Sequence, residues 1–274
     1  MLKIGWIDYA NCTPLLLQIE KPLIEAGIEL VHGVPAELNS SLSKGEIDLC
    51  ISSSIEFARH SDEYAILPGH CIGSDGPVMS VLLFSPRKVS ELAGEKILVT
   101  SESATSVVLL KILLSRHWGL DNCILEPSSL CWKDTLSSGH AALLIGDSAL
   151  KAAIEGDFAF CYDLGEEWKA MTALPFVYAL WQVNLASAAG KKNDISILLG
   201  LLDRAKDMNP ARLDELSSAA SERSWMGQEY LRRYWQHISY DFDGSHRRGL
   251  ELFYAIAAEM SLVPQMAALN FYQV

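Results

Sequence analysis

The sequence predicts an α/β chain of two lobes, each a β-sheet flanked by helices, with a binding cleft between them. Three observations carry that expectation. Short apolar runs alternate with amphipathic stretches at the spacing of strand–helix–strand units. Two longer apolar runs, residues 79–84 and 175–183, bracket a set of such units, as two crossings between lobes would. The ends of the shorter runs lead into small hydroxyl residues rather than charges, the residue types that begin helices. With 274 residues, half of them hydrophobic, the chain can fill more than one lobe.

The first strand is 4–7. Thr13 is placed to cap the next helix and Pro14 to start it, with a kink or restart expected at Pro22. Residues 28–31 form a second strand, 35–44 a helix stopped by Gly45, 47–51 a third strand ending in Ser52-Ser53-Ser54, and 55–60 a short helix. Residues 65–67 and 71–72 read as two short strands before a turn at 73–77. After 79–84 the rhythm restarts with strand 96–99, helix 103–118, strand 123–125, a helix from Lys133, strand 141–145, helix 147–154, strand 158–161 and a short helix opened by Asp163. Beyond 175–183 the chain is helical in four pieces, 193–208, 210–221, 226–237 and 244–261. The expected lobes are therefore 1–84 with 179–274, and 85–178.

The balance of 22 basic and 34 acidic residues, a net charge of −12, argues against a nucleic-acid or anionic membrane surface as partner. Six scattered cysteines without a C-x-x-C pair read as reduced core thiols, not as a zinc site or a disulfide framework. The first residues enter a strand directly and no run reaches the length of a membrane span, so a cytoplasmic protein is expected.

Hydroxyls mark the candidate site. Five of the seven residues from Thr100 to Ser106 (Thr100, Ser101, Ser103, Thr105, Ser106) carry them, between a strand and a helix. The first N–H groups of a helix lack internal partners and its dipole favours negative charge there, so such a turn can hold a carboxylate without Arg. Alone, Ser101, Ser103 or Thr105 would simply cap the helix. Asn11, Ser52-Ser53-Ser54, Ser74-Asp75-Gly76 and Gly146-Asp147-Ser148 follow other strands in the same way. Several such patches around one cleft make a site for a small, oxygen-rich anion. The ordinary roles are a turn for Asn11 and a helix cap for Asp147. The seven histidines show no pairing pattern.

The ordered motifs are Asn11-x-x-Pro14-Leu15; Gly45-x-Ile47-Asp48; Ile51-Ser52-Ser53; Cys71-Ile72-Gly73-Ser74-Asp75-Gly76-Pro77-Val78-x-Ser80-Val81; Ser103-x-Thr105-Ser106; Leu144-Ile145-Gly146-Asp147-x-Ala149-Leu150; Asp163-Leu164-Gly165-x-x-Trp168; and Pro175-Phe176-Val177-Tyr178-Ala179-x-Trp181. Together they resemble the chorismate dehydratase family of the futalosine route to menaquinone, from residue 4 to about residue 182 and more loosely beyond. The resemblance implies a type II periplasmic-binding-protein-like fold, with two mixed sheets flanked by helices about a central cleft. It also implies a hydro-lyase that eliminates water from chorismate to give 3-[(1-carboxyvinyl)oxy]benzoate. On this sequence the expected catalytic residue is Asn11. The expected substrate contacts are Ser53, Ser54, Ser74, Ser80, Ser103, Thr105, Ser106, Gly146 and Asp147, with no metal and no cofactor. An Asn cannot act as a general base, so the substrate's own enolpyruvyl carboxylate is expected to take the proton, with Asn11 on the leaving hydroxyl or the side chain and Asp147 as the alternative acid–base residue. Two alternatives remain: a 1,4-dihydroxy-6-naphthoate synthase-like enzyme, in which an N-terminal motif richer in Pro and Cys would be expected, and a non-catalytic cytosolic binding protein for a small carboxylate.

Overall fold

The computed structural model describes residues 1–100, 102–128, 131–264 and 268–273; Ser101 lies outside them. Strands β1 (Lys3–Ile7), β2 (Glu29–Gly33) and β3 (Leu49–Ser53) are joined by helices α1 (Thr13–Glu25) and α2 (Pro35–Ser43). β1 pairs in parallel with both β2 and β3, the pairing that helical crossovers impose. Helix α3 (Ser54–Arg59) leads to β4 (Tyr64–Ser74). The chain then crosses to β5 (Val81–Ser85), β6 (Lys96–Thr100), α4 (Ala104–Ile112), β7 (Ile124–Ser128), α5 (Trp132–Ser137), β8 (Ala141–Ile145), α6 (Gly146–Glu155), β9 (Phe160–Asp163) and α7 (Leu164–Thr172). It returns through β10 (Phe176–Asn184) to α8 (Lys192–Ala219), α9 (Arg223–Met226), α10 (Gln228–His237), β11 (Ser239–Asp241) and α11 (Gly244–Glu259).

Two mixed sheets result. The first has the order β11-β4-β10-β3-β1-β2 and the second β7-β6-β8-β5-β9. β10 runs antiparallel between β3 and β4, and β5 antiparallel between β8 and β9. The two bracketing strands thus belong to opposite sheets. Cuts at 84/85 and 178/179 would fall inside β5 and β10, whereas sheet membership puts the crossings at 75–80 and 173–175. Every residue of β5 and β10 is buried. Hydrophobicity therefore marks both as core without showing which sheet receives them.

Prolines interrupt less than expected. α1 continues through Pro22, and α8 runs 28 residues through Pro210. Gln18 on α1 donates to Ala205 O and Asn209 Oδ1, bringing a donor from the packed neighbour to the turn where Pro210 supplies none. β4 is one strand of 11 residues rather than two short ones. Its register with β10 shifts between Ile66 and Cys71, a bulge that absorbs Pro68 and the left-handed Gly69 at φ +79°. Thr13 is the first residue of α1 rather than its cap, and its hydroxyl donates to Glu222. The helix expected at 103–118 is α-helical to Ile112 and closes in a π-turn, Leu113–His117.

The first crossing is tied to the β9–α7 junction by Asp163. Its carboxylate caps α7 by accepting from the N–H groups of Gly165 and Glu166, and it also accepts from those of Val78 and Met79. Met79 sits at φ +63°, a conformation that L side chains adopt at a cost. Burial raises the Asp163 pKa, while the four N–H donors act the other way. One apolar cluster, including Trp6 and Trp181 with ring centroids 5.6 Å apart, runs through the molecule. No helix among the described residues is long and apolar enough to cross a membrane.

Candidate active site

The strand ends of both sheets meet around a cavity of about 60 Å³. β1 delivers Ile7 and, just beyond it, Tyr9 and Asn11; β3 ends in Ser53; β4 and β10 contribute Ile72, Tyr178 and Ala179. The first crossing contributes Val78 and Ser80, the start of β5 contributes Val81, the start of α4 contributes Ser103 and Ser106, and the β8–α6 junction contributes Ile145 and Gly146. Pro35, at the start of α2, completes the lining.

Of the residues expected from sequence, Asn11, Ser53, Ser80, Ser103, Ser106 and Gly146 line this cavity. Asn11 Oδ1 is buried without a hydrogen-bond partner, which is costly unless a ligand supplies one. Ser103 is both cap and lining: its Oγ accepts from Ser106 N at 3.2 Å and lies 2.9 Å from Ser106 Oγ. Helix α4 is thereby fixed with its N-terminus at the cavity. Gly146 needs its own chemistry. It sits at φ +54°, and a Cβ there would lie 3.0 Å from two atoms of the Tyr9 ring.

The other four do not line the cavity, and each is engaged elsewhere. Ser54 Oγ donates to Val177 O, and Thr105 Oγ1 accepts from Ile55 N, so that the starts of α3 and α4 are joined. Ser74 Oγ donates to Gly76 O within the crossing. Asp147 Oδ1 accepts from Ala10 N at 3.1 Å and links the β8–α6 junction to the loop that carries Asn11. Burial raises the Asp147 pKa, against the Ala10 N–H and the charge of Lys151. A second link runs from Tyr9 OH to Glu102 Oε2 at 2.7 Å.

Among the described residues no Lys, Arg, His, Asp or Glu lines the cavity. Its polar character comes from four serine hydroxyls, one carboxamide, two phenols and helix N-termini, a set that favours a small anion while offering it no ionised base. Among the described residues no group of three or more His, Cys, Asp or Glu side chains could hold a metal ion. Sequence reasoning did not single out Tyr9 or Tyr178. A tyrosine beside apolar residues reads as core, and only the position of Tyr178 in the Val177-Tyr178-Ala179 motif marked that stretch.

Two mixed sheets around a cavity built from strand ends define the periplasmic-binding-protein-like class. Solved structures of that shape match nearly the whole chain. A protein from Archaeoglobus fulgidus superposes with a TM-score of 0.74 at 18% identity, covering 96% of this chain and 98% of that one. The alkanesulfonate-binding protein SsuA from Xanthomonas axonopodis pv. citri, solved with MOPS bound, gives 0.72 at 16% identity, covering 96% and 94%. Sequence narrows the class. The menaquinone biosynthesis family model matches residues 2–259. The chain is 32% identical over 267 residues to a chorismate dehydratase from Thermus thermophilus, covering 91% of this chain and 93% of the relative. It is also 32% identical over 179 residues to a chorismate dehydratase from Campylobacter jejuni, covering 64% of each. The chain belongs to the menaquinone biosynthesis family.

Proposed function

We propose that this chain is a chorismate dehydratase, a hydro-lyase converting chorismate to 3-[(1-carboxyvinyl)oxy]benzoate. The observation that carries the reading is the cavity itself, which presents Asn11 and four serines and no ionisable base, in a chain aligned over 91% of its length with a dehydratase. In the reaction the ring carbon bearing the enolpyruvyl ether loses its proton, the C–O bond of the neighbouring hydroxyl breaks, and the electron pair completes the aromatic ring. One water leaves. The substrate's enolpyruvyl carboxylate accepts the proton, the role that no lining side chain can take. The Asn11 carboxamide donates through its N–H2 group to the departing hydroxyl or orients the enolpyruvyl side chain, its Oδ1 having no partner among the described residues. The hydroxyls of Ser53, Ser80, Ser103 and Ser106 and the N-terminus of α4 hold the carboxylates, so the protein's contribution is orientation.

The two sheets form two lobes joined by the crossings at 75–80 and 173–175, and residues of both line the cavity. The net charge of −12 supports a small-molecule partner over nucleic acid, and the six free cysteines support a reducing compartment, the cytoplasm. Incubation of the purified chain with chorismate, followed by liquid chromatography with mass detection, tests the reading. The expected product is lighter by one water and keeps the enolpyruvyl group. Chorismate that binds but stays unchanged would identify a binding protein instead.

A further inference from the structure

Three aromatic side chains of the C-terminal region direct their polar atoms at the candidate site although none of them lines the cavity. Tyr234 on α10 is fully buried and its hydroxyl donates to Ser80 Oγ at 3.0 Å. Trp235 Nε1 donates to Ala10 O at 2.7 Å. Tyr240 on β11 donates to Asn11 O, also at 2.7 Å. We propose that Tyr234, Trp235 and Tyr240 are positioning residues for the elimination, acting through Ser80 and Asn11; the inference rests on the dehydratase reading of this site.

A buried phenol gives its proton to the acceptor it reaches. Ser80 Oγ is that acceptor, so the serine's own proton must point elsewhere. Among the described residues it finds Val78 O at 3.4 Å, a long contact, and Ser80 itself lines the cavity. Tyr234 thus makes Ser80 a donor toward the substrate and strengthens it by polarising its oxygen. Asn11 is held differently. Its Oδ1 has no partner, so its own carboxamide oxygen does not anchor it. Instead the chain is fixed at three backbone atoms: Ala10 N by Asp147, Ala10 O by Trp235 and Asn11 O by Tyr240. A side chain that must stay available to a ligand is best placed by bonds to its backbone, and this loop has that arrangement. Burial keeps the Tyr234 and Tyr240 phenols protonated, and hence donors.

Steady-state turnover of chorismate by wild type, Tyr234→Phe, Ser80→Ala and the double variant tests the inference, with thermal melting measured alongside. Tyr234→Phe should lower kcat about fivefold to tenfold, the loss of one hydrogen bond, with KM held within about twofold. In the Ser80→Ala background the same substitution should change kcat less than about twofold, since the group it acts through is gone. An equal loss of kcat in both backgrounds, or a lowered melting temperature with kcat intact, assigns Tyr234 to packing alone and overturns the inference. Should Tyr234→Phe fail to fold, Tyr240→Phe decides: a similar fall in kcat at constant KM supports positioning, and an unchanged kcat overturns it. Wild type is assayed first. Absence of turnover there overturns the dehydratase reading and the inference with it, an outcome distinct from turnover with additive losses.

Discussion

Asn11→Ala should make the protein a poorer enzyme without making it a weaker fold. The Asn11 Oδ1 atom is buried and unpartnered, and an orphaned buried acceptor costs about 1–3 kcal/mol. Truncation to Ala removes that penalty and gives up the packing of a short side chain, about 1 kcal/mol. The balance lies between about 0 and 2 kcal/mol in favour of the variant. For a chain of this size that raises the melting temperature by about 0–6 °C. Turnover moves the other way. A hydrogen bond to the departing hydroxyl or the reacting side chain, made in a site that excludes water, is worth about 10²–10³ in kcat. The assay pairs thermal melting of the ligand-free protein with product formation by mass detection. A variant that keeps kcat within about threefold of wild type would refute the role given to Asn11. A variant that loses turnover and also melts several degrees lower would show that Asn11 supports the fold, and the argument from its unpartnered oxygen would be wrong.

Gly146→Ala forces a Cβ to 3.0 Å from the Tyr9 ring at φ +54°, a left-handed conformation that costs about 1–2 kcal/mol; the melting temperature should fall by about 2–6 °C and kcat/KM at least tenfold as the ring moves into the cavity, and wild-type values for both would refute the packing argument. With a protein of net charge −12 and a dianionic substrate, kcat/KM should rise with added sodium chloride as repulsion is screened; a fall would reveal a cationic contact. His70 is buried, and desolvation, with Lys206 adding to it against Asp203, holds its pKa below the ordinary 6.5. The folded state then binds fewer protons than the unfolded chain between that depressed value and 6.5, so stability should be full above 6.5 and decline as pH falls through the window, and His70→Gln should flatten the slope of melting temperature against pH.

The sequence made the strand ends legible because hydroxyl residues at Ser53 and Ser103 coincide with the points where one periodicity gives way to another. Ser103 shows the limit of such reasoning, since its roles as cap and as cavity lining are one geometry. Thr105 and Ser54 carry the same signal yet face each other between α3 and α4. Which side of a helix start meets the cavity depends on how the two sheets pack, and no local pattern encodes that. The continuity of α8 through Pro210 was hidden for a related reason: the donor beside Pro210 comes from Gln18, nearly two hundred residues away in sequence. Tyr9, Tyr234 and Tyr240 were illegible because a phenol in an apolar stretch looks like core until its hydroxyl finds a partner. The clamp at Asp163 was visible only as a helix start; its bonds to Val78 and Met79 join segments that the chain separates by a whole sheet.

On the proposed mechanism, the absence of a cation from the lining has a chemical reason. The substrate's enolpyruvyl carboxylate must remain basic enough to take a proton from carbon. A guanidinium or ammonium beside it would depress its pKa by about 1–3 units and weaken it as a base by the same measure. Serine hydroxyls and helix N–H groups can orient a carboxylate while adding no full positive charge. Low dielectric then works in the same direction, because a carboxylate taken out of water into a cavity of about 60 Å³ among Ile7, Ile72 and Ile145 is a stronger base than the solvated one. A fold suited to enclosing a small anion therefore needs little alteration to become a catalyst of this kind. It must exclude water, leave out Lys and Arg, and hold the anion's carboxylate against the ring hydrogen.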